Sequence, residues 1–199
     1  LEIDTPRGLA WADLDRPRAA RGLLVIGHGA GGSVEAPDIV TTRDAALDRG
    51  LAVARITQPY RVAGRRAPSP APQLDEAWLA ALARVRRQRS LASVPLVVAG
   101  RSSGARVACR TANDVGALGV IALAFPLHPP GKPEQTRLPE LETPRVPILV
   151  IQGSRDPFGV PESAPGRDVV LIEGADHGLK RSLATVREAV AGFVTALVQ

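Results

Sequence analysis

The sequence predicts an α/β fold, with a mainly parallel central sheet and helices on both of its faces. Three observations predict it. Short, almost continuous apolar runs recur at 22–26, 51–56, 95–99, 117–124, 148–152 and 168–172, the pattern of strands buried on both faces. Segments of helical period separate most of them, and such alternation implies right-handed crossovers between parallel neighbours. Aromatic residues make up 3% of the 199 residues and methionine is absent, so the core must be built from Val, Leu, Ile and Ala. That length suits one domain, over 1–199.

Residues 1–18 carry turn signals at Pro6-Arg7-Gly8 and Asp15-Arg16-Pro17, which predicts a small antiparallel entry to the sheet. The first clear strand, 22–26, ends in the glycine-rich stretch Gly27-His28-Gly29-Ala30-Gly31-Gly32. A helix follows over about 37–49, with Pro37 near its start, Ile39, Val40, Ala46 and Leu47 on one face, and Gly50 as its stop. After the strand at 51–56, residues 57–72 read as a loop dense in Pro, Gly and Arg. The helix at 73–89 has Leu74, Trp78, Leu82 and Val85 on one stripe, leaving Arg84, Arg86, Arg87 and Arg89 mainly toward water. Residues 103–113 form the helix after the strand at 95–99, and 117–124 is a further apolar strand. From 125 to 146 six prolines, among them Pro126, Pro129 and Pro144, exclude a long helix. The last helix, about 181–198, carries Leu183, Val186, Val190, Phe193, Val194 and Leu197 at helical spacing and should dock along the sheet edge.

Composition narrows the function classes. The net charge is +5 and nearly all positive charge is arginine, Lys132 and Lys180 being the lysines. The arginines are scattered among Asp and Glu and not interleaved with aromatics, which argues against nucleic acid as a partner. No apolar run is long enough to span a bilayer, so no membrane partner is expected. Leu1-Glu2-Ile3-Asp4 lacks the basic start and apolar stretch of a secretory signal, which makes the cytoplasm the default location. Cys109 is alone, which excludes an intrachain disulfide, and it reads as a small buried residue.

In open parallel sheets, ligands sit at the carboxyl ends of the strands. The strand at 95–99 delivers Gly100-Arg101-Ser102-Ser103-Gly104 there, a Gly-x-Ser-x-Gly nucleophile elbow that would lift Ser102 out of the sheet. The next strands deliver Gly153-Ser154-Arg155-Asp156 and Gly174-Ala175-Asp176-His177-Gly178. A serine hydroxyl needs a base to take its proton, and His177 fits; that imidazole needs a carboxylate on its other nitrogen, and Asp156 fits. Asp176 is the rival acid, disfavoured because a side chain adjacent in sequence to His177 points away from its ring. The oxyanion of a tetrahedral intermediate needs fixed donors, for which the Ser103 and Ala30 amides are the candidates, with Gly31 the alternative to Ala30. His28 precedes serine and acid in the chain and is read as a brace for its loop. Gly31, Arg61, Arg101 and His128 are candidates to border the substrate, the arginines (with Arg65 and Arg66) favouring an acidic one.

The segments His28-Gly29-Ala30-Gly31-Gly32, Gly100-Arg101-Ser102-Ser103-Gly104, Phe125-Pro126-Leu127-His128-Pro129-Pro130-Gly131-Lys132, Gly153-Ser154-Arg155-Asp156 and Ala175-Asp176-His177-Gly178 together resemble a known family. The sequence looks like a small α/β-hydrolase of the dienelactone-hydrolase-like kind, similar to the testis-expressed hydrolase-like proteins and their bacterial relatives. Ser102 departs from dienelactone hydrolase itself, which uses a cysteine nucleophile. The resemblance implies an α/β-hydrolase fold without a lid domain, and a serine hydrolase of a small carboxylic ester, thioester or amide that needs no cofactor and no metal. Some testis-expressed-type relatives are subunits of larger assemblies, so it also leaves open a non-catalytic binding module.

Overall fold

Eight strands form one sheet, in the order β1-β2-β4-β3-β5-β6-β7-β8, in a computed structural model that describes residues 1–198. The strands are β1 (Glu2–Thr5), β2 (Gly8–Asp15), β3 (Gly22–Gly27), β4 (Leu51–Thr57), β5 (Leu96–Arg101), β6 (Gly119–Leu123), β7 (Ile148–Gly153) and β8 (Arg167–Ile172). β1 and β2 pair antiparallel and β2 pairs antiparallel with β4, which makes the entry hairpin the turn signals predict. All other pairings are parallel.

Alternate side chains of the central strands point to opposite faces, and each face has its own apolar core. Leu23 and Val25 of β3 join Val98, Trp78, Leu82 and Ala105 in one; Leu24 and Ile26 join Val97, Ile39, Val186 and Val190 in the other. Helices α3 (Ala71–Arg86) and α4 (Ser103–Thr111) cover the first face, α1 (Pro37–Asp48) and α6 (Leu183–Leu197) the second. Two one-turn helices, α2 (Pro59–Val62) and α5 (Leu138–Leu141), lie within the segments read as loops. Each starts with proline in its first turn, where the missing N–H costs nothing. Glu140 of α5 holds Arg106 and Arg110 of α4, and Arg110 also pairs with Asp75 of α3, tying three helices together.

Two elements differ from their sequence pattern. The buried face of α1 is Asp38, Ile39, Thr42, Ala45 and Ala46, while Val40 is only half-buried, because Asp38 has a cationic partner inside the fold. Helix α6 lies on a face of the sheet beside α1, not along an edge: Leu197 and Phe193 cover Gly119 at the start of β6. A β-carbon at Gly119 would stand 2.5 Å from Leu197 Cδ1.

The register is what builds a site. Gly27 of β3 is level with Gly100 of β5, Arg101 with Leu123 of β6, Leu123 with Ile151 of β7, and Gly153 of β7 with Ile172 of β8. The loops leaving these strands therefore emerge together at one rim.

Candidate active site

At that rim β5 turns sharply into α4 through Ser102, whose backbone has φ 52° and ψ −114°. A residue with a β-carbon held in this region costs about 1–3 kcal/mol, which the surrounding packing must offset. The packing needs bare positions: a β-carbon on Gly100 would come within 2.1 Å of the Gly104 carbonyl carbon, and one on Gly104 within 2.7 Å of the Gly27 backbone. The Ser102 N–H donates to Leu123 O at 2.8 Å, fixing the turn to β6.

The loops after β7 and β8 meet this serine. Ser102 Oγ lies 2.9 Å from His177 Nε2, and His177 Nδ1 lies 2.8 Å from Asp156 Oδ2. A carboxylate only accepts, so the ring proton sits on Nδ1 and the lone pair on Nε2 faces the hydroxyl. Asp156 Oδ1 accepts the Phe158 N–H at 2.9 Å, and its Oδ2 lies 2.9 Å from Gln152 Nε2. Asp176 is turned into its own loop, where Oδ1 accepts the Gly178 N–H at 2.8 Å. The two loops can approach because β7 ends in glycine: a β-carbon on Gly153 would stand 2.4 Å from Ala175 O.

The glycine-rich loop after β3 lies against the elbow: a β-carbon on Gly29 would stand 3.4 Å from Ser102 Cβ. Two side chains orient its peptides. His28 is buried; its Nδ1–H donates to Gly29 O at 2.8 Å and its Nε2 accepts the Gln58 N–H at 3.0 Å. Burial holds this imidazole below the usual histidine range, against the Gly29 bond and with help from the Arg61 charge. Tyr60 of α2 donates its hydroxyl to Ala30 O at 2.8 Å, and burial pushes that phenol up to about 12. In a trans peptide the carbonyl and the following N–H point opposite ways, so drawing the Gly29 and Ala30 carbonyls to one side turns the Ala30 and Gly31 N–H groups to the other. Among the described residues neither of these amides, nor that of Ser103, has an acceptor.

The border candidates fall apart from one another. Arg101 was expected at the cleft, but its Nε donates to Asp38 Oδ2 and its Nη2 to His177 O, both at 2.9 Å, which holds the guanidinium inside the fold. Arg61 Nη1 donates to Arg65 O at 3.2 Å on the exposed side of α2, and Arg65 and Arg66 are exposed. His128 lies beside the acid loop: its N–H donates to Phe158 O, its Nδ1–H to Pro129 O, and its ring covers Gly159. Cys109 is fully buried on α4, and its thiol is pushed up to about 12 by that burial.

Two residues of the site escape the sequence reading. Phe158 packs on the His177 imidazole with ring centres 4.3 Å apart. Gln152 supports the acid, with its Nε2 also 3.1 Å from Phe125 O and 2.8 Å from Gly159 O. A signal for Gln152 existed: it is the polar residue that closes the otherwise apolar run Ile148-Leu149-Val150-Ile151.

No curated protein sequence matches this chain. Among solved structures it is similar to XC6422 from Xanthomonas campestris, an α/β serine hydrolase without lid, with a TM-score of 0.78 and 24% identity over 100% of this chain and 94% of that one. Est1E from Butyrivibrio proteoclasticus superposes with a TM-score of 0.80 at 18% identity, over 100% of this chain and 98% of that one. Dienelactone hydrolase from Anabaena variabilis gives 0.75 at 17% identity, over 100% and 97% of the two chains. These likenesses are of fold. The model of the α/β-hydrolase domain matches residues 20–195, which hold the six strands from β3 to β8 and every loop of the site, and the chain belongs to that α/β-hydrolase family, in its small form without a lid.

Proposed function

We propose that the protein is a serine hydrolase that cleaves small carboxylic esters through an acyl-enzyme. Ser102 Oγ attacks the acyl carbon while His177 Nε2 takes its proton, and Asp156 stabilises the imidazolium that results. The oxyanion accepts from the Ser103 N–H and from the Ala30 N–H, Gly31 being the alternative donor. The intermediate collapses by breaking the ester C–O bond, and His177 returns its proton to the departing alcohol. Water then attacks the acyl-enzyme, His177 again takes a proton, and the acid leaves with Ser102 restored. This cycle uses groups of the chain, the ester and one water.

The observation that carries the proposal is the unbroken line Asp156–His177–Ser102, with bonds of 2.8 and 2.9 Å and the serine on a strained elbow. A small cavity walled by Tyr60, Leu74, Trp78 and Val107 lies beside Ser103, the residue after the nucleophile. The connection between β6 and β7 holds only the short α5, which supports a preference for acyl chains of about two to four carbons, since a further methylene gains about 0.8 kcal/mol only where a wall buries it.

A fluorophosphonate probe tests the reading. Wild-type protein should carry a covalent adduct that Ser102→Ala abolishes, and Ser102→Ala should lower kcat for p-nitrophenyl acetate by roughly 10³-fold or more. A binding module built on this fold would give no Ser102-dependent adduct.

A further inference from the structure

We infer that Arg101 and Asp38 form a brace that positions the base His177, so that the residue before the nucleophile acts on the far end of the catalytic line. This rests on the proposed role of His177. Arg101 is the last residue of β5, joined by one peptide bond to Ser102. Its guanidinium grips two groups at once: Nε donates to Asp38 Oδ2 at 2.9 Å, and Nη2 donates to the main-chain oxygen of His177 at 2.9 Å. One side chain thus ties the peptide of the base to the strand that carries the nucleophile.

The anchor is firm on its other side. The Asp38 side chain is 1% exposed, and its Oδ1 accepts the Ile39 N–H at 3.0 Å in the first turn of α1. A carboxylate so far from water requires a cation, so the guanidinium is fixed in place and cannot swing into the cleft. The His177 loop is anchored in the apolar core at its two ends, by Ala175 and Leu179, and its remaining main-chain bonds are to itself and to the turn after β7. The Leu179 N–H donates to Asp176 O at 3.3 Å, the Gly178 N–H to Asp176 Oδ1, and the Arg155 N–H to Ala175 O. Leu179 adds strain, its φ of 50° being in the left-handed region. None of those bonds reaches β5. Among the described residues, Arg101 is the donor to His177 O.

The geometry explains why arginine is needed. Two acceptors from different elements are bridged by nitrogens of one planar fork, which a lysine ammonium on a flexible stem does not reproduce. Without the fork, the His177 peptide loses its link to β5, and the imidazole drifts relative to Ser102 Oγ. Misplacement of a base by about 1 Å costs on the order of 10²-fold in rate. Arg101 is therefore a positioning residue, acting through Asp38 and the main chain of His177.

Steady-state hydrolysis of p-nitrophenyl acetate by Arg101→Met, which keeps the apolar stem, tests this, with Arg101→Lys alongside. In folded protein, checked by circular dichroism, Arg101→Met should lower kcat roughly 10-fold to 100-fold with KM within about twofold, and Arg101→Lys should fall between it and wild type. The low-field imidazole proton resonance of the His177–Asp156 bond should be sharp in wild type and broadened or lost in Arg101→Met. If Arg101→Met does not fold, a smaller but clear kcat loss in Arg101→Lys, with KM unchanged, supports the brace and its absence overturns it. Wild-type kcat in folded Arg101→Met overturns it too. So does a raised KM with kcat unchanged, which would make Arg101 a substrate contact. Should wild type form no Ser102 adduct, acyl transfer fails instead, and the resonance decides the brace: unaltered in Arg101→Met, it overturns it.

Discussion

His28 shows what a single side chain does for the site and how its charge state bears on stability. Its neutral form donates from Nδ1 and accepts at Nε2, whereas the charged form would turn a second N–H against the Gln58 N–H. Its pKa is lowered in the fold, chiefly by burial, so the unfolded chain binds the proton more readily. Its stability contribution is therefore fully present above the ordinary histidine pKa of about 6.5 and is lost as the pH falls toward the lowered value. Wild-type melting temperature should drop between about pH 6.5 and 5 more steeply than that of His28→Gln, which differential scanning calorimetry at matched ionic strength would show. Gln152 has a comparable role for the acid. Gln152→Leu removes the two amide N–H groups that Asp156 Oδ2, Phe125 O and Gly159 O share, and while Asp156 Oδ2 keeps the His177 Nδ1–H, a buried carbonyl left unpaired costs about 1–3 kcal/mol. The variant should melt lower and lose kcat rather than KM. At this scale chain order singled out Ser102, Asp156 and His177 as a set, and the fold brings them within hydrogen-bonding distance. The sequence was silent on Phe158 and on the partners of Arg101, because what a side chain faces depends on elements far away in sequence: Asp38 of α1 lies 63 residues before its partner.

Elements were more legible than their docking. Continuous apolar runs marked the parallel strands because a strand covered on both faces has no polar side to show. Leu74, Trp78, Leu82 and Val85 all face the core from α3, as their spacing predicts. The position of α6 was not readable, since its stripe of Val186, Val190 and Val194 serves a face as well as an edge. On α1 the polar Asp38 sits among the buried positions, which hydrophobic period alone cannot foresee. One connection between elements has a direct test. A methyl group at Gly153 would collide with the Ala175 and Asp176 carbonyls, so Gly153→Ala should push the loop after β8 away from β7. Backbone sits on both sides of that contact, and no flexible side chain can give way. The variant should fold, since the sheet register does not involve that β-carbon, yet lose on the order of 10²-fold in kcat for p-nitrophenyl acetate.

For the molecule as a whole, the segment between β6 and β7 holds only the short α5, and the α/β-hydrolase sheet carries its site on an uncovered rim. A p-nitrophenyl ester series should therefore give its highest kcat/KM at about two to four acyl carbons, without a jump when the longer esters form micelles. Leu74→Ala, by enlarging the cavity beside Ser103, should shift that optimum to longer chains. The elbow bears on the whole molecule in another way. Ser102 has a backbone conformation that glycine adopts without penalty, and the strain of about 1–3 kcal/mol exceeds the roughly 0.5–1 kcal/mol that glycine's extra freedom costs. Ser102→Gly should then melt above wild type, by about 2–4 °C for each net kcal/mol, in a calorimeter. If Ser102 has the proposed role, selection for heat resistance alone would find an easy gain at that position and would end with a durable, inert protein.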